Sequence, residues 1–405
     1  MREANKIAFE KLTLARPVLI GCATAGEVMP GFRKNWILHS GPPVAFETMR
    51  GPHRMGIVGA AMLEGLARDE KEAVGMIESG EIELGCANDF HSGGPGAGIT
   101  SYSMAVLVVR EERSGTLGFA PPIEGALGGG LGGWGVYHDA VRENLKRIAG
   151  TYAPLLDRVL KQGGGIDISD LFAEGLRMGD EEHTRQAATD KLFLSLVLER
   201  SLKSDLTDSE RITLLRWLNE CRRFVHHAGC AAAVAALKSA SGVPGSTLVT
   251  AMCGNGCEFG IKISASGERW FTAPAPTFHG RCFSPSDSLR DAAPWLGDSS
   301  NVEAWGLGGM AAAAAPALLR ERGQSPDDGI RQCAEMAEIC FGRSPRFAVP
   351  LIPEGFAPAG ILADRVVEKN ITPVMHGGIL SRVTGGQIGV GYARTPSACF
   401  EKALA

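Results

Sequence analysis

Glycine sets the first constraint on this chain. There are 53 glycines among 405 residues, and three loop-like stretches carry several each: residues 26–52, 91–98 and 125–133. Aromatic residues make up only 6% of the chain, so the glycines do not serve to seat large rings. Glycine removes the Cβ and opens the left-handed backbone region, which permits tight turns and close approach of the main chain to a ligand. Successive amides in such turns form concave nests for carboxylate or phosphate. The second loop, HSGGPGAG, places Gly94 and Gly96 at the positions expected to cradle an anion.

Between these loops, short apolar strands alternate with helices. Residues 17–25 (PVLIGCATA), 81–87 and 105–110 read as strands, and 55–67, 71–79 and 137–161 as helices. The expected fold class is therefore α/β in a mixed α+β arrangement. Gln162-Gly-Gly-Gly165 marks a boundary, after which the pattern turns almost purely helical to about residue 241. Beyond it, STLVTAM, the turn signal Asn255-Gly256 and the run 258–264 predict a hairpin. Two helices, 302–322 and 327–341, and further short strands follow. The expected division is an N-terminal α/β domain (1–162), a helical module (163–241) and a C-terminal α/β domain (242–405).

The net charge of -4 carries none of the basic excess that marks a nucleic-acid binder. No apolar run approaches the ~18 residues of a membrane span, and the first residues lack the apolar core of a secretion signal. Ten scattered cysteines are expected to be reduced thiols, and the protein cytoplasmic. Metal and cofactor are not expected. No His-x-x-x-His pair occurs, Cys253 and Cys257 lack a second pair at zinc-binding spacing and are expected to be two thiols facing each other across a hairpin, and the nucleotide-binding and nucleophile-elbow motifs are absent.

Two polar clusters remain. The stretch 178–193, MGDEEHTRQAATDKLF, packs Asp180, Glu181, Glu182, His183 and Arg185 between a glycine and an apolar helical run. Asp180 is suited to cap a helix, with the two glutamates in its first turn, where the dipole favours negative charge. That start could aim carboxylate, imidazole and guanidinium at one point, or it could be an ordinary capped helix with solvated charges. Arg50-Gly-Pro-His53-Arg54 brings two guanidiniums and an imidazole to a helix start, groups suited to a carboxylate or phosphate, or simply a basic surface turn.

Six stretches run in order through nearly the whole chain: PGFRKNWILHSGPP (30–43), MRGPHRMGIVGAAMLEGLA (49–67), MGDEEHTRQAATDKLFL (178–194), STLVTAMCGNGCEFGIKISASGERWFTAPAP (246–276), DSSNVEAWGLGGMAAAAAP (298–316) and GGQIGVGYARTPSACFEKAL (385–404). Together they resemble the bacterial family of the YlbE and YahG proteins, and the chain is identified as a member of it. Members associated with FdrA-type proteins look like subunits of oxamate carbamoyltransferase, which splits oxalurate with phosphate into oxamate and carbamoyl phosphate. Where relatives tend to carry a His-rich run, this chain has Cys86-Ala-Asn-Asp-Phe-His91.

The resemblance implies small anionic ligands (carbamoyl phosphate and an oxamate-like acid), an FdrA-type partner subunit and, as the default for soluble assemblies, a homo-oligomer. Arg54 and Arg185 are then expected to clamp anions, with His53 beside Arg54, and His183 to shuttle a proton or polarise a carbonyl. Asp180 or Glu182 would orient His183, while Asn255 and Glu258 would present polar groups from the hairpin. A non-catalytic scaffold and a ureido-acid hydrolase are the competing readings.

Overall fold

The computed structural model describes residues 1–124, 130–383 and 386–405. Residues 125–129, the heart of the third glycine loop, lie outside the described residues. The fold mixes helices with several small sheets, as the sequence pattern implies. Most strand pairing is antiparallel. One four-stranded sheet runs Leu117–Ala120, Ala105–Glu111, Pro17–Thr24, Ile166–Asp167, and a second runs Phe271–Pro274, Glu258–Ile263, Val249–Asn255, Leu296–Gly297. A three-stranded sheet joins His279–Cys282, Gln387–Arg394 and Val374–Leu380. Parallel pairing occurs between Trp36–His39 and Glu83–Cys86, with the helices Gly51–Leu63 and Glu70–Glu78 in the connection.

The helix Phe224–Ser239 is the central pillar. Its residues from Phe224 to Leu237 are all buried, as expected of a helix that is apolar all round. Its alanines let it lie against backbone. A Cβ on Gly118 would come within 2.1 Å of the Ala231 carbonyl oxygen, so the strand Leu117–Ala120 and this helix meet main chain to main chain. One apolar cluster extends from Ala8 to Phe400 and includes this helix. Among the described residues, no helix is long and apolar enough to cross a membrane.

Three local expectations change. The helix expected to begin at Asp180 is instead Ala187–Leu202. The single helix expected over 302–322 is three short pieces: Asn301–Trp305, the 3-10 segment Gly308–Ala314 and Pro316–Glu321. Pro316 and the left-handed Gly306 and Gly308 break it. The hairpin forms, but Cys253 and Cys257 do not face each other. Cys253 pairs with Gly260 and is fully buried, while the Cys257 thiol donates to the Thr48 carbonyl at 3.3 Å.

Candidate active site

Between the helices Ile168–Arg177 and Ala187–Leu202 the chain makes a buried polar loop, 178–186. Asp180, Glu181, Glu182 and His183 are all at most 2% exposed. Charge at that depth is costly unless paired and hydrogen-bonded, so each partner is informative. Asp180 caps a helix, though a later one than the sequence suggests. Its Oδ2 accepts from the amides of Ala188 and Thr189 at 2.8 and 2.9 Å. Glu181 closes the loop, since its Oε1 takes the amides of His183 (3.2 Å), Thr184 and Arg185 (2.8 Å). Its other oxygen accepts from Nδ1 of His376 at 2.8 Å. Burial opposes ionisation, yet the His376 contact, with Arg322 and His183 nearby, holds this carboxyl down to about 2. Glu182 behaves in the opposite way. Burial, then the neighbouring Asp180, pushes its carboxyl well above the usual range. It keeps a 2.6 Å bond from the Thr189 hydroxyl, while its Oε2 has no partner among the described residues. Its backbone is left-handed at φ 70°, an uncommon state for a non-glycine residue.

His183 is held by Glu303, not by Asp180 or Glu182. Its Nδ1 lies 2.7 and 2.8 Å from the two Glu303 oxygens. Glu303 is itself fully buried and accepts from the amides of His376 (3.0 Å) and Gly309 (3.1 Å). Burial raises its pKa, and the His183 ring works against that rise. The break in the 301–321 helix now has a reason. It delivers the Gly309 amide to Glu303 and the Gly308 amide to the Glu181 carbonyl at 2.6 Å. A Cβ on Gly308 would sit 2.1 Å from Glu303 Oε1, so only glycine fits there.

The arrangement opens onto a cavity of about 50 Å³. Pro95 and Gly96 of the second glycine loop, Gly133, Gly377 and Gly378 line it together with His183, His226, Arg223 and Trp295. With Nδ1 committed to Glu303, His183 has Nε2 left for chemistry in the cavity. A buried carboxylate fixing one nitrogen, and so the tautomer, is how an imidazole is prepared for proton transfer at the other. His226 stacks on His183 with ring centroids 5.2 Å apart, and burial drives its pKa well below the usual value, so it is neutral. Arg223 donates through Nη2 to the His183 carbonyl at 3.0 Å, while its buried Nε has no partner among the described residues. Its backbone is also left-handed, φ 68°. Strained backbone of this kind tends to gather at functional sites. Among the described residues, no group of three or more His, Cys, Asp and Glu is arranged to hold a metal ion.

Of the residues singled out from the sequence, His183 and Gly96 line this cavity. Arg185 faces a larger neighbouring cavity, with Nε donating to the Gly179 carbonyl at 3.2 Å and lying 3.5 Å from Asp180. Gly94 accepts from the Asp298 amide and lines a separate crevice with His227. The other four have local partners or lie elsewhere. The Arg54 guanidinium lies over the Phe46 ring, 4.1 Å from its centre, and donates to the Phe46 carbonyl. His53 packs edge-on to His39 at 4.8 Å. The Asn255 side chain accepts from the amides of Cys257 and Glu258 and donates to the Pro42 carbonyl. Glu258 accepts from the Thr272 hydroxyl at 3.1 Å. Sequence reasoning missed Glu303, Arg223 and the pairing of His376. The only signal was the polar run DSSNVE (298–303) ahead of a Gly-rich break.

Fold and site together define a mixed α/β protein with a buried Glu–His pair at a glycine-lined cavity. Comparison with known proteins makes this specific. Residues 82–299 match the family described as oxamate carbamoyltransferase subunit AllG. The chain is 34% identical to oxamate carbamoyltransferase subunit AllG of Escherichia coli K12, over 99% of this chain and 96% of that protein. It is 33% identical to the uncharacterized protein YahG of the same organism, over 99% and 84% of the two. A conserved protein of unknown function from Enterococcus faecalis V583 has a crystal structure that matches with a TM-score of 0.94 at 32% identity, over 99% of this chain and 96% of that one. The chain belongs to the AllG family, and the resemblance read from its sequence is borne out.

Proposed function

We propose that the protein is a subunit of a carbamoyltransferase acting on a small ureido acid, of the type that converts oxalurate and phosphate to oxamate and carbamoyl phosphate. The observation that carries this reading is His183, fixed through Nδ1 by Glu303 at the wall of a cavity lined with glycine backbone and Arg223. In the reaction a phosphate oxygen bonds to the carbamoyl carbon, the carbonyl oxygen takes the negative charge, and the carbon–nitrogen bond to the oxamate half then breaks. His183 Nε2 accepts the proton of the attacking phosphate and returns it to the departing nitrogen. Arg223 and the surrounding amides offer donors to the oxyanion, the contribution that usually weighs most in acyl transfer.

The family relative is described as a subunit, which favours a site completed by, or shared with, an FdrA-type partner in the cytoplasm. The test is phosphate-dependent cleavage of oxalurate, followed as carbamoyl phosphate, by this protein alone and then with that partner. Activity alone would place the whole reaction on this chain, and activity only with the partner would make the site shared. Failure in both would sink the proposal. Ammonia release without phosphate would point to a hydrolase, and a chain that binds neither oxamate nor carbamoyl phosphate would be a scaffold.

A further inference from the structure

Beside the inner cavity lies a larger one, of about 580 Å³, and the two share Arg223 as a wall. Its lining holds four cationic side chains, Arg185, Lys191, Arg222 and Arg223, against two carboxylates, Asp190 and Glu321. That excess stands out in a chain of net charge -4. Asp190 is already engaged, since its oxygens take the amides of Arg223 and Val225 at 2.6 and 3.0 Å. Of the cations, Lys191 donates to the Asn219 side chain, and Arg185, 3.5 Å from Asp180, and Arg223 each donate to one backbone carbonyl. The Arg222 side chain is exposed and makes no hydrogen bond or ion pair among the described residues. Arg223 keeps its buried Nε unpartnered. Guanidiniums that keep N–H donors to spare around one concave space suit a phosphoryl group, which accepts forked, charge-assisted hydrogen bonds.

We propose that this outer cavity is a phosphoryl-anion site, in which Arg185 and Arg222 hold inorganic phosphate or carbamoyl phosphate against Arg223 at the mouth of the inner cavity. The choice between those two ligands rests on the carbamoyl-transfer reading, whereas the anion site itself rests on the cation cluster. The experiment is titration calorimetry of the full chain with inorganic phosphate and, separately, with carbamoyl phosphate. Arg222→Gln and Arg185→Gln are compared with Arg68→Gln, an exposed charge paired only with Glu72. Loss of one charge-assisted contact should weaken binding about tenfold, while the Arg68 variant should match the parent chain. A response to both anions, or to either one, supports the site, and which anion binds identifies the source of the phosphoryl group. No binding of either anion, or equal affinity in the parent, Arg222 and Arg185 variants, overturns it. Arginine-dependent binding in a protein that never cleaves oxalurate would keep this site and remove the proposed reaction.

Discussion

Two polar turns in this chain attract attention for similar reasons, and the structure gives them different lives. The turn at Asn255 is closed by its own side chain, which accepts from the amides of Cys257 and Glu258 and donates to the Pro42 carbonyl, away from either cavity. The turn at Glu181 is closed in the same local way by one carboxylate oxygen. What distinguishes it is where its distant bonds lead, since the Asn255 turn also reaches a remote segment, at the Pro42 carbonyl. His183 reaches Glu303, 120 positions away, and Glu181 reaches His376, 195 positions away. Bonds that close a turn, or tie it to a segment away from any cavity, build structure. Bonds that tie a turn to distant segments around a cavity are the ones that can build a site.

The sharpest way to break that contrast is to remove the imidazole. His183→Ala should lower oxalurate cleavage in the assembled enzyme by about 10²–10⁴-fold, the usual contribution of a positioned proton-transfer group. Glu303→Gln should cost less, about 10–100-fold, because the ring survives and only its orientation and basicity suffer. The loss should fall on kcat more than on KM. If Glu303→Gln retained full turnover, Glu303 would be a structural partner and the site would lie elsewhere.

Stability sharpens the contrast further through two adjacent glutamates. The Glu181 carboxyl is held down to about 2, below an ordinary value near 4.5. Its stabilisation is therefore present above about pH 4.5 and is lost as the pH falls toward about 2. Glu181→Gln should unfold at a lower temperature than the parent at pH 7 and should lose part of the parent's acid slope. Glu182 has the opposite sign. Its folded pKa is raised, so the folded state holds the proton more tightly and stability declines as pH rises above the unfolded value. Glu182→Gln resembles the protonated form and can still accept from Thr189, so it should match or exceed the parent's Tm at pH 7. Calorimetric melts of both variants across about pH 2 to 8 would check the pair (about 1.4 kcal/mol per pKa unit sets the scale). A Glu182→Gln protein less stable than Glu181→Gln would reverse the assignment.

The same distinction explains how much the sequence disclosed. Strands and helices governed by local pattern were legible, from Pro17–Thr24 to the hairpin at Asn255. The polar stretch at 178–186 was visible too, because five charged or ionisable residues before an apolar helix are conspicuous. Its geometry was not visible. Asp180 looks like the cap of a helix starting at the next residue, but the loop stays open and the carboxylate caps from outside, at Ala188 and Thr189. Residues 302–322 look like one alanine-rich helix, but Glu303 and Glu181 require amides from Gly309 and Gly308, and left-handed glycines provide them. His376 looks isolated because its partner lies 195 positions away in the sequence. We propose that the expected segments 1–162, 163–241 and 242–405 melt as one cooperative unit, since the buried helix Phe224–Ser239 packs on both the first and second sheets and a single apolar cluster links all three. A calorimetric trace with resolved transitions would restore them as independent domains.

The smallest expected effect on chemistry belongs to the turn at Asn255. Asn255 is 1% exposed and makes three hydrogen bonds, none toward the inner or the outer cavity. Asn255→Ala would strand two amides and the Pro42 carbonyl, which should cost about 1–3 kcal/mol of stability, read as a lower denaturant midpoint. Activity per folded molecule, and its dependence on phosphate, should be unchanged. The comparison turns on this separation of readouts. A variant that melts earlier but turns over normally would show that a polar, buried, sequence-conspicuous asparagine is architecture. If turnover fell while the midpoint held, the hairpin would reach a ligand that neither cavity accounts for, and the boundary of the active site would have to move toward Asn255.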